Sequence, residues 1–207
     1  MKRVVFVFLL LALLIVALAV TARADGIDLT NKFGTITILN SGIASRGSEL
    51  MSFNGFSAPV GHAMGYVNFW TGAFIGSSGS IWTGGEFSSA GSGFMITGAG
   101  KYGEPRGVIF QGAFTGPIDW TMLVANTYFH EYQLTGNIEG MLWTGRIVSG
   151  TTSQTIYTYW NQERVDHKGN INLGMTHLAT PEPGTLGLLG TGLILSAGFL
   201  RHKGAAP

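Results

Sequence analysis

Thr151-Thr152-Ser153-Gln154-Thr155-Ile156-Tyr157-Thr158-Tyr159-Trp160 has the two-residue period of an extended chain. Thr155, Tyr157 and Tyr159 fall on one face, and Ile156, Thr158 and Trp160 on the other. β-branched and aromatic side chains suit a pleated surface and lose rotamer freedom in a helix. This stretch is therefore a strand, and the segments around it read the same way.

Downstream, residues 161–170 hold Glu163, Arg164, Asp166, His167 and Lys168. That density of charge predicts an exposed loop, followed by a closing strand over 171–175. Upstream, residues 128–135 and 137–144 flank Gly136 and predict a hairpin turning there. Residues 108–114 and 118–124 flank Thr115-Gly116-Pro117 and predict another. Further strands are expected at 34–40, 49–56, 66–70, 72–76, 80–83 and 94–97, separated by Gly-, Ser- and Asn-rich turns. A helix needs a longer run without glycine, and residues 118–133, the best candidate, are too rich in β-branched and aromatic residues. The fold class is all-β: a single antiparallel sandwich or barrel-like domain over 25–180, with both architectures open at this point.

The composition of that domain limits its chemistry. It holds 26 of the 32 glycines, seven Lys/Arg and ten Asp/Glu, a net charge of about −3. Nucleic acid requires a basic face, so it is not an expected partner. The chain has no cysteine. Disulfides, thiol nucleophiles and Cys-ligated zinc are thereby excluded.

Both ends read as export signals. Lys2 and Arg3 precede an apolar run over 4–20, and Ala22-Arg23-Ala24 supplies the small-x-small pattern read by signal peptidase. Residues 1–24 are thus expected to form a signal helix cleaved after Ala24. At the other end Pro181-Glu182-Pro183 stays extended, because proline fixes φ and lacks an N–H. Residues 185–200 carry no charge, and Arg201 and Lys203 follow. An apolar helix over 185–200 would reach roughly 24 Å at about 1.5 Å per residue, short of the ~30 Å hydrocarbon core. Local thinning absorbs such a mismatch. Membrane lipid is the expected surrounding of 185–200, and Arg201 and Lys203 act as the stop.

The order Pro181-Glu182-Pro183, Gly/Leu-rich span, Arg201 and Lys203 resembles the PEP-CTERM sorting tail. The resemblance implies that residues 181–207 are recognised by an exosortase, a membrane cysteine protease-transferase. It further implies export, a transient stay in the inner membrane, and delivery to the cell surface or outside. Proteins with this tail occur with exopolysaccharide and biofilm systems, and some ice-binding proteins carry it. The resemblance covers the tail alone.

No motif in 25–180 carries catalysis. No Gly-x-Ser-x-Gly elbow is present, and Gly76-Ser77-Ser78-Gly79-Ser80 lacks the lysine of a phosphate loop. His130 and Glu131 are adjacent, so a strand points them to opposite faces. Asp166-His167 is expected in a polar loop, and His62 and His177 are isolated in sequence. No metal site and no cofactor are expected. Glu131 and Glu139 flank Gly136 and would face each other if the chain turned there, as a glycosidase pair must. Most of Trp70, Trp82, Trp120, Trp143 and Trp160 are expected in the core. Tyr157, Tyr159 and Trp160 are the candidate contacts for an extracellular polysaccharide. An ice-binding surface would need a flat threonine array, and Thr35, Thr37, Thr151, Thr152 and Thr155 are sparse for one. The expected function is a non-enzymatic exported surface or matrix protein. A carbohydrate-binding module is the alternative, and a polysaccharide-acting enzyme a further one.

Overall fold

Burial alternates along nearly every strand, so one face of each looks into a common interior. The computed structural model describes residues 26–179 apart from 77, 78, 162 and 163, and leaves out the side chains of 160, 161 and 164–167. The expected signal helix and sorting tail lie outside the described residues. The strands are β1 (Gly26–Leu39), β2 (Gly42–Phe53), β3 (Phe56–Ser57), β4 (Gly65–Trp70), β5 (Gly85–Phe87) and β6 (Gly93–Ala99). They continue with β7 (Arg106–Phe114), β8 (Ile118–Ala125), β9 (Phe129–Leu142), β10 (Ile147–Asn161) and β11 (Arg164–Ala179).

The strands pair antiparallel in the order β10-β11-β1-β2-β4-β6-β7-β9, and β9 pairs back to β10. Eight strands therefore close on themselves, and the domain is a barrel rather than a sandwich. Closure removes the unpaired edges that an exported sheet without disulfides would otherwise present. A barrel of this size has an interior just wide enough for side chains to fill. Ile36, Ile38, Ile43, Leu50, Val67, Phe69, Ile96, Phe110, Ile138 and Ile156 fill it, each at most 1% exposed. Phe69 stacks on Phe94 at 5.9 Å, and Phe114 meets Phe94 edge-on at 5.8 Å.

The outward positions are of another kind. β9 shows Glu131, Gln133, Thr135, Asn137 and Glu139, and β10 shows Ser149, Thr151, Ser153 and Thr155. A hydrocarbon phase would reject these side chains, so this wall faces water.

Two expected hairpins are absent. β9 runs unbroken through Gly136, which pairs with Thr152 of β10. A Cβ at Gly136 would come within 2.7 Å of the Phe114 ring, so the glycine clears space for an aromatic rather than turning the chain. β7 pairs with residues 138–142 of β9 and β8 with residues 130–135, so both lie along the same edge of β9. Thr115-Gly116-Pro117 only bends the chain between them, and the Thr115 N–H donates to the Asn137 carbonyl at 2.9 Å.

Other expectations change too. Residues 164–170 belong to β11 rather than to a loop, because their backbone pairs with β10. Residues 80–83 form a turn in which Thr83 N–H donates to Ser80 O at 3.0 Å. Within 72–76 only Phe74 makes a bridge, to Phe87. The turn places Ile81 and Trp82 against Trp120 and Tyr132. Trp120 Nε1 donates to Ile81 O at 2.7 Å, and the Tyr132 hydroxyl to Trp82 O at 3.1 Å. Trp120 and Tyr132 stack at 4.5 Å, 8° from parallel. Burial in this aromatic packing pushes the Tyr132 hydroxyl up to about 12.

Glu104 is only 4% exposed and closes the β6–β7 loop. Its two carboxylate oxygens accept from the N–H groups of Lys101 and Tyr102, each at 2.9 Å. Burial pushes the Glu104 pKa up, but backbone hydrogen bonds outweigh it and hold the group below its ordinary 4.5. A lowered folded pKa stabilises the fold above the unfolded value, and that stability is lost as pH falls through the folded one. Glu104→Gln is expected to cost about 2 kcal/mol at pH 7. Urea titrations should show that cost shrinking as the pH is taken well below 4.5.

Candidate functional site

The two ends of the barrel differ. At one rim the first and last described residues are partners: Gly26 pairs with Ala179, which also pairs with Ser149. The segments that precede and follow the barrel thus join it on neighbouring strands. His177 is not isolated here, because its Nδ1 lies 2.7 Å from Asp28 Oδ1 across the β1–β11 ladder. Both side chains are exposed, so this ion pair contributes little, up to about 1 kcal/mol.

At the opposite end stand the candidate glycan contacts. Tyr157 is half-buried, meeting the Phe129 ring edge-on at 5.4 Å. Tyr159 is 68% exposed, and Tyr128, on the preceding loop, 80%. Trp160 pairs through its backbone with Val165, and its side chain is outside the described residues. Most of the tryptophans were expected in the core, but Trp70 and Trp143 are half exposed, at 45% and 46%. Trp120 is in the core at 1%, and Trp82 packs against it.

The carboxylate pair dissolves. Glu131 and Glu139 occupy one continuous strand, eight residues or about 26 Å apart, and cannot act on one bond. Another pair was hidden: Glu86 stands directly opposite Asp119 on β5 and β8, beside an open groove of about 360 Å³. The two residues are 33 positions apart in the chain, so no local pattern signals them. Both are exposed, whereas acid–base work needs one carboxyl sheltered from water. His130 faces inward beside Tyr132, its Nδ1 3.1 Å from the phenol oxygen, and burial lowers its pKa. His62 lies near the Tyr102 ring at 6.3 Å. Among the described residues no group of three metal-ligating side chains converges.

The threonines do not form an array. Thr152 points inward at 1% exposure, while Thr35 and Thr37 stand on β1, separated from β10 by β11. Thr152 belongs instead to a buried polar network. Asn31 Nδ2 donates to Ser48 Oγ at 2.7 Å and to Gln154 Oε1 at 2.9 Å. Gln154 Nε2 donates to Asn31 Oδ1 at 3.3 Å and to Thr152 Oγ1 at 2.8 Å, and Thr152 Oγ1 lies 2.9 Å from Thr176 Oγ1. Nothing in the chain order foretells this: Asn31 and Gln154 are 123 residues apart.

β11 ends at Ala179, and the profile of the PEP-CTERM protein-sorting motif matches residues 179–203. The chain carries that sorting motif. The PEP-CTERM match begins on the last paired residue of the barrel and runs past Lys203's neighbours Arg201 and His202 to Lys203 itself. It thus takes in Pro181, Glu182 and Pro183, which are outside the described residues, as are Ala22 and Ala24. The motif implies an exported protein sorted by an exosortase toward the cell surface. No match was found among curated proteins or among solved structures.

Proposed function

We propose that this is a non-enzymatic protein of the cell surface or extracellular matrix, whose barrel is the delivered part and whose tail is the address. On this reading signal peptidase acts after Ala24, residues 185–200 halt in the inner membrane with Arg201 and Lys203 on its cytoplasmic side, and exosortase processes the tail at Pro181-Glu182-Pro183. The observation that carries the proposal is the position of the PEP-CTERM motif, which starts where the last strand of a closed barrel ends. An interior filled by side chains supports a structural role for the barrel.

Fractionation of cells with and without the exosortase tests it. With the enzyme, the protein should leave the inner membrane in shortened form. Without it, the full-size tail-bearing protein should accumulate there, and Glu182→Ala should reproduce that result. Identical size and location in the two strains would overturn the sorting role.

A second reading, a carbohydrate-binding module of an exopolysaccharide matrix, is favoured by one observation. Tyr159 stands exposed on the outer wall beside Tyr157 and Phe129. Exposed aromatic rings are the surfaces on which sugar rings stack. Loss of glycan retention in Tyr157→Ala/Tyr159→Ala would support it, and a blank glycan array would remove it.

A further inference from the structure

On the outer wall where β2 meets β4 lies a groove of about 350 Å³, bordered by Ala44, Arg46, Asn68 and Trp70. That is within the size range of small-molecule sites, at its lower end. Its indole is held in place. A Cβ at Gly93 would lie within 2.6 Å of three Trp70 ring atoms, so the ring rests directly on the glycine of the neighbouring strand. Trp70 Nε1 donates to Gly91 O at 2.9 Å, which fixes the ring's rotation. The ring nevertheless remains 45% exposed. An indole seated this way offers an apolar plate without a further loss of side-chain entropy on binding.

The polar groups around the plate are donors. Asn68 Oδ1 already accepts from Gly47 N–H at 2.8 Å, which leaves the amide's NH₂ as its free end. Arg46 has no carboxylate partner among the described residues. Glu49, further along β2, is placed opposite Lys32 and Tyr66 instead. Lys168 adds a second positive charge on the same row of the wall, opposite Thr37, which is opposite Ala44. That puts it two strand spacings, roughly 10 Å, from Ala44. The groove is thus a mostly apolar surface beside the Trp70 ring, with Arg46 and Asn68 at its border and no carboxylate among its lining residues.

We propose that this groove is a subsite for one ring of an acidic polysaccharide, a pyranose bearing a carboxylate. The apolar face of the ring lies on Trp70, its carboxylate is taken by the Arg46 guanidinium in a two-pronged contact, and Asn68 donates to a ring hydroxyl. Lys168 meets the acidic group of a following residue. The domain's net charge of about −3 would repel a polyanion as a whole, so binding depends on this local arrangement. The site shares its ligand class with the carbohydrate reading above but lies on a different wall from Tyr157 and Tyr159.

Retention of the full chain, in mild detergent, on immobilised polygalacturonate and on immobilised neutral dextran tests it. The wild type should be retained on polygalacturonate and pass through dextran. Trp70→Ala and Arg46→Gln should each weaken retention at least tenfold, and Arg46→Lys should recover part of it. Ser149→Ala, on the exposed outer face of β10, should leave it unchanged, which shows that the losses are local to the groove. Arg46 is on the surface, so Arg46→Gln should keep the wild-type unfolding midpoint. No retention of the wild type, equal retention on both polymers, or full retention of either Trp70→Ala or Arg46→Gln would overturn the proposal. So would loss of retention in the tyrosine double variant with retention kept in both groove variants.

Discussion

Trp120→Ala is expected to destabilise the domain by about 4 kcal/mol. The residue is 1% exposed and belongs to three arrangements at once. It stacks on Tyr132 at 4.5 Å and meets Phe87 edge-on at 6.1 Å. Its Nε1–H also holds Ile81 O at 2.7 Å. The truncation therefore opens a cavity and removes the hydrogen bond that the indole makes to the turn over 80–83. β5 and β8 hang from one edge of β9 outside the closed ring. The loss should be felt there first. Hydrogen exchange should rise in β5, β8 and the 80–83 turn before it rises in β1 and β2. Trp120→Phe keeps most of the volume and loses the hydrogen bond, so it should cost roughly 1–2 kcal/mol. Urea unfolding followed by circular dichroism gives both numbers. A cost below about 1 kcal/mol for the alanine variant would mean that the turn is not anchored through this ring.

The all-β class was legible in the alternation of residues 151–160, because a period of two survives whichever strand lies alongside. Partnership was not. Gly136 and Gly116 look alike in a linear reading, as glycines between two strand-forming runs. One clears a ring and the other sits in a bend, and both facts depend on Phe114 and Asn137 arriving from elsewhere. The charged run over 161–168 misled for a related reason. Charge reports on solvent exposure, and a barrel strand has one exposed face along its whole length, so a polar segment can still be a strand. The hairpin error carried directly into the site, since Glu131 and Glu139 become neighbours only if the chain turns at Gly136. The Trp70 groove escaped because aromatic content was read as core, and a seat such as Gly93 is visible only once β4 and β6 are paired. The sorting tail was the most legible part. Its signal is the order of local features along the chain and needs no partner strand to be read.

The barrel and the tail also explain one another. An exported domain without a cysteine must hold its shape through packing and ladder closure alone. Gly26 and Ala179 close that ladder at the rim where the PEP-CTERM motif begins. At the opposite end of the barrel Tyr128, Tyr159 and the edge of Trp70 are exposed.

Gln154→Leu is expected to cost about 3 kcal/mol, and the polar network inside the barrel gives the reason. Leucine nearly matches glutamine in size, so the change does not open a cavity. It strands partners instead: Asn31 loses the acceptor 2.9 Å away and the donor 3.3 Å away, and Thr152 loses its 2.8 Å donor. Each buried polar group left unsatisfied costs about 1–3 kcal/mol. Asn31→Leu should cost a similar amount, because Gln154 Oε1 and Ser48 Oγ lose the Asn31 donor and Gln154 Nε2 loses one of its two acceptors. The double variant should then cost clearly less than the two singles together, because each leucine removes a group that the other would have orphaned. Gly174 tightens the same logic, since a Cβ there would collide with both Gln154 Oε1 and Asn31 Oδ1. Gly174→Ala should therefore be destabilising in the wild-type background. In the double variant the apolar ends can shift aside without losing a hydrogen bond, and the same substitution should cost less. Urea midpoints of the four backgrounds, each with glycine or alanine at 174, measure both couplings. Strict additivity would show that the side chains share a space but not a network.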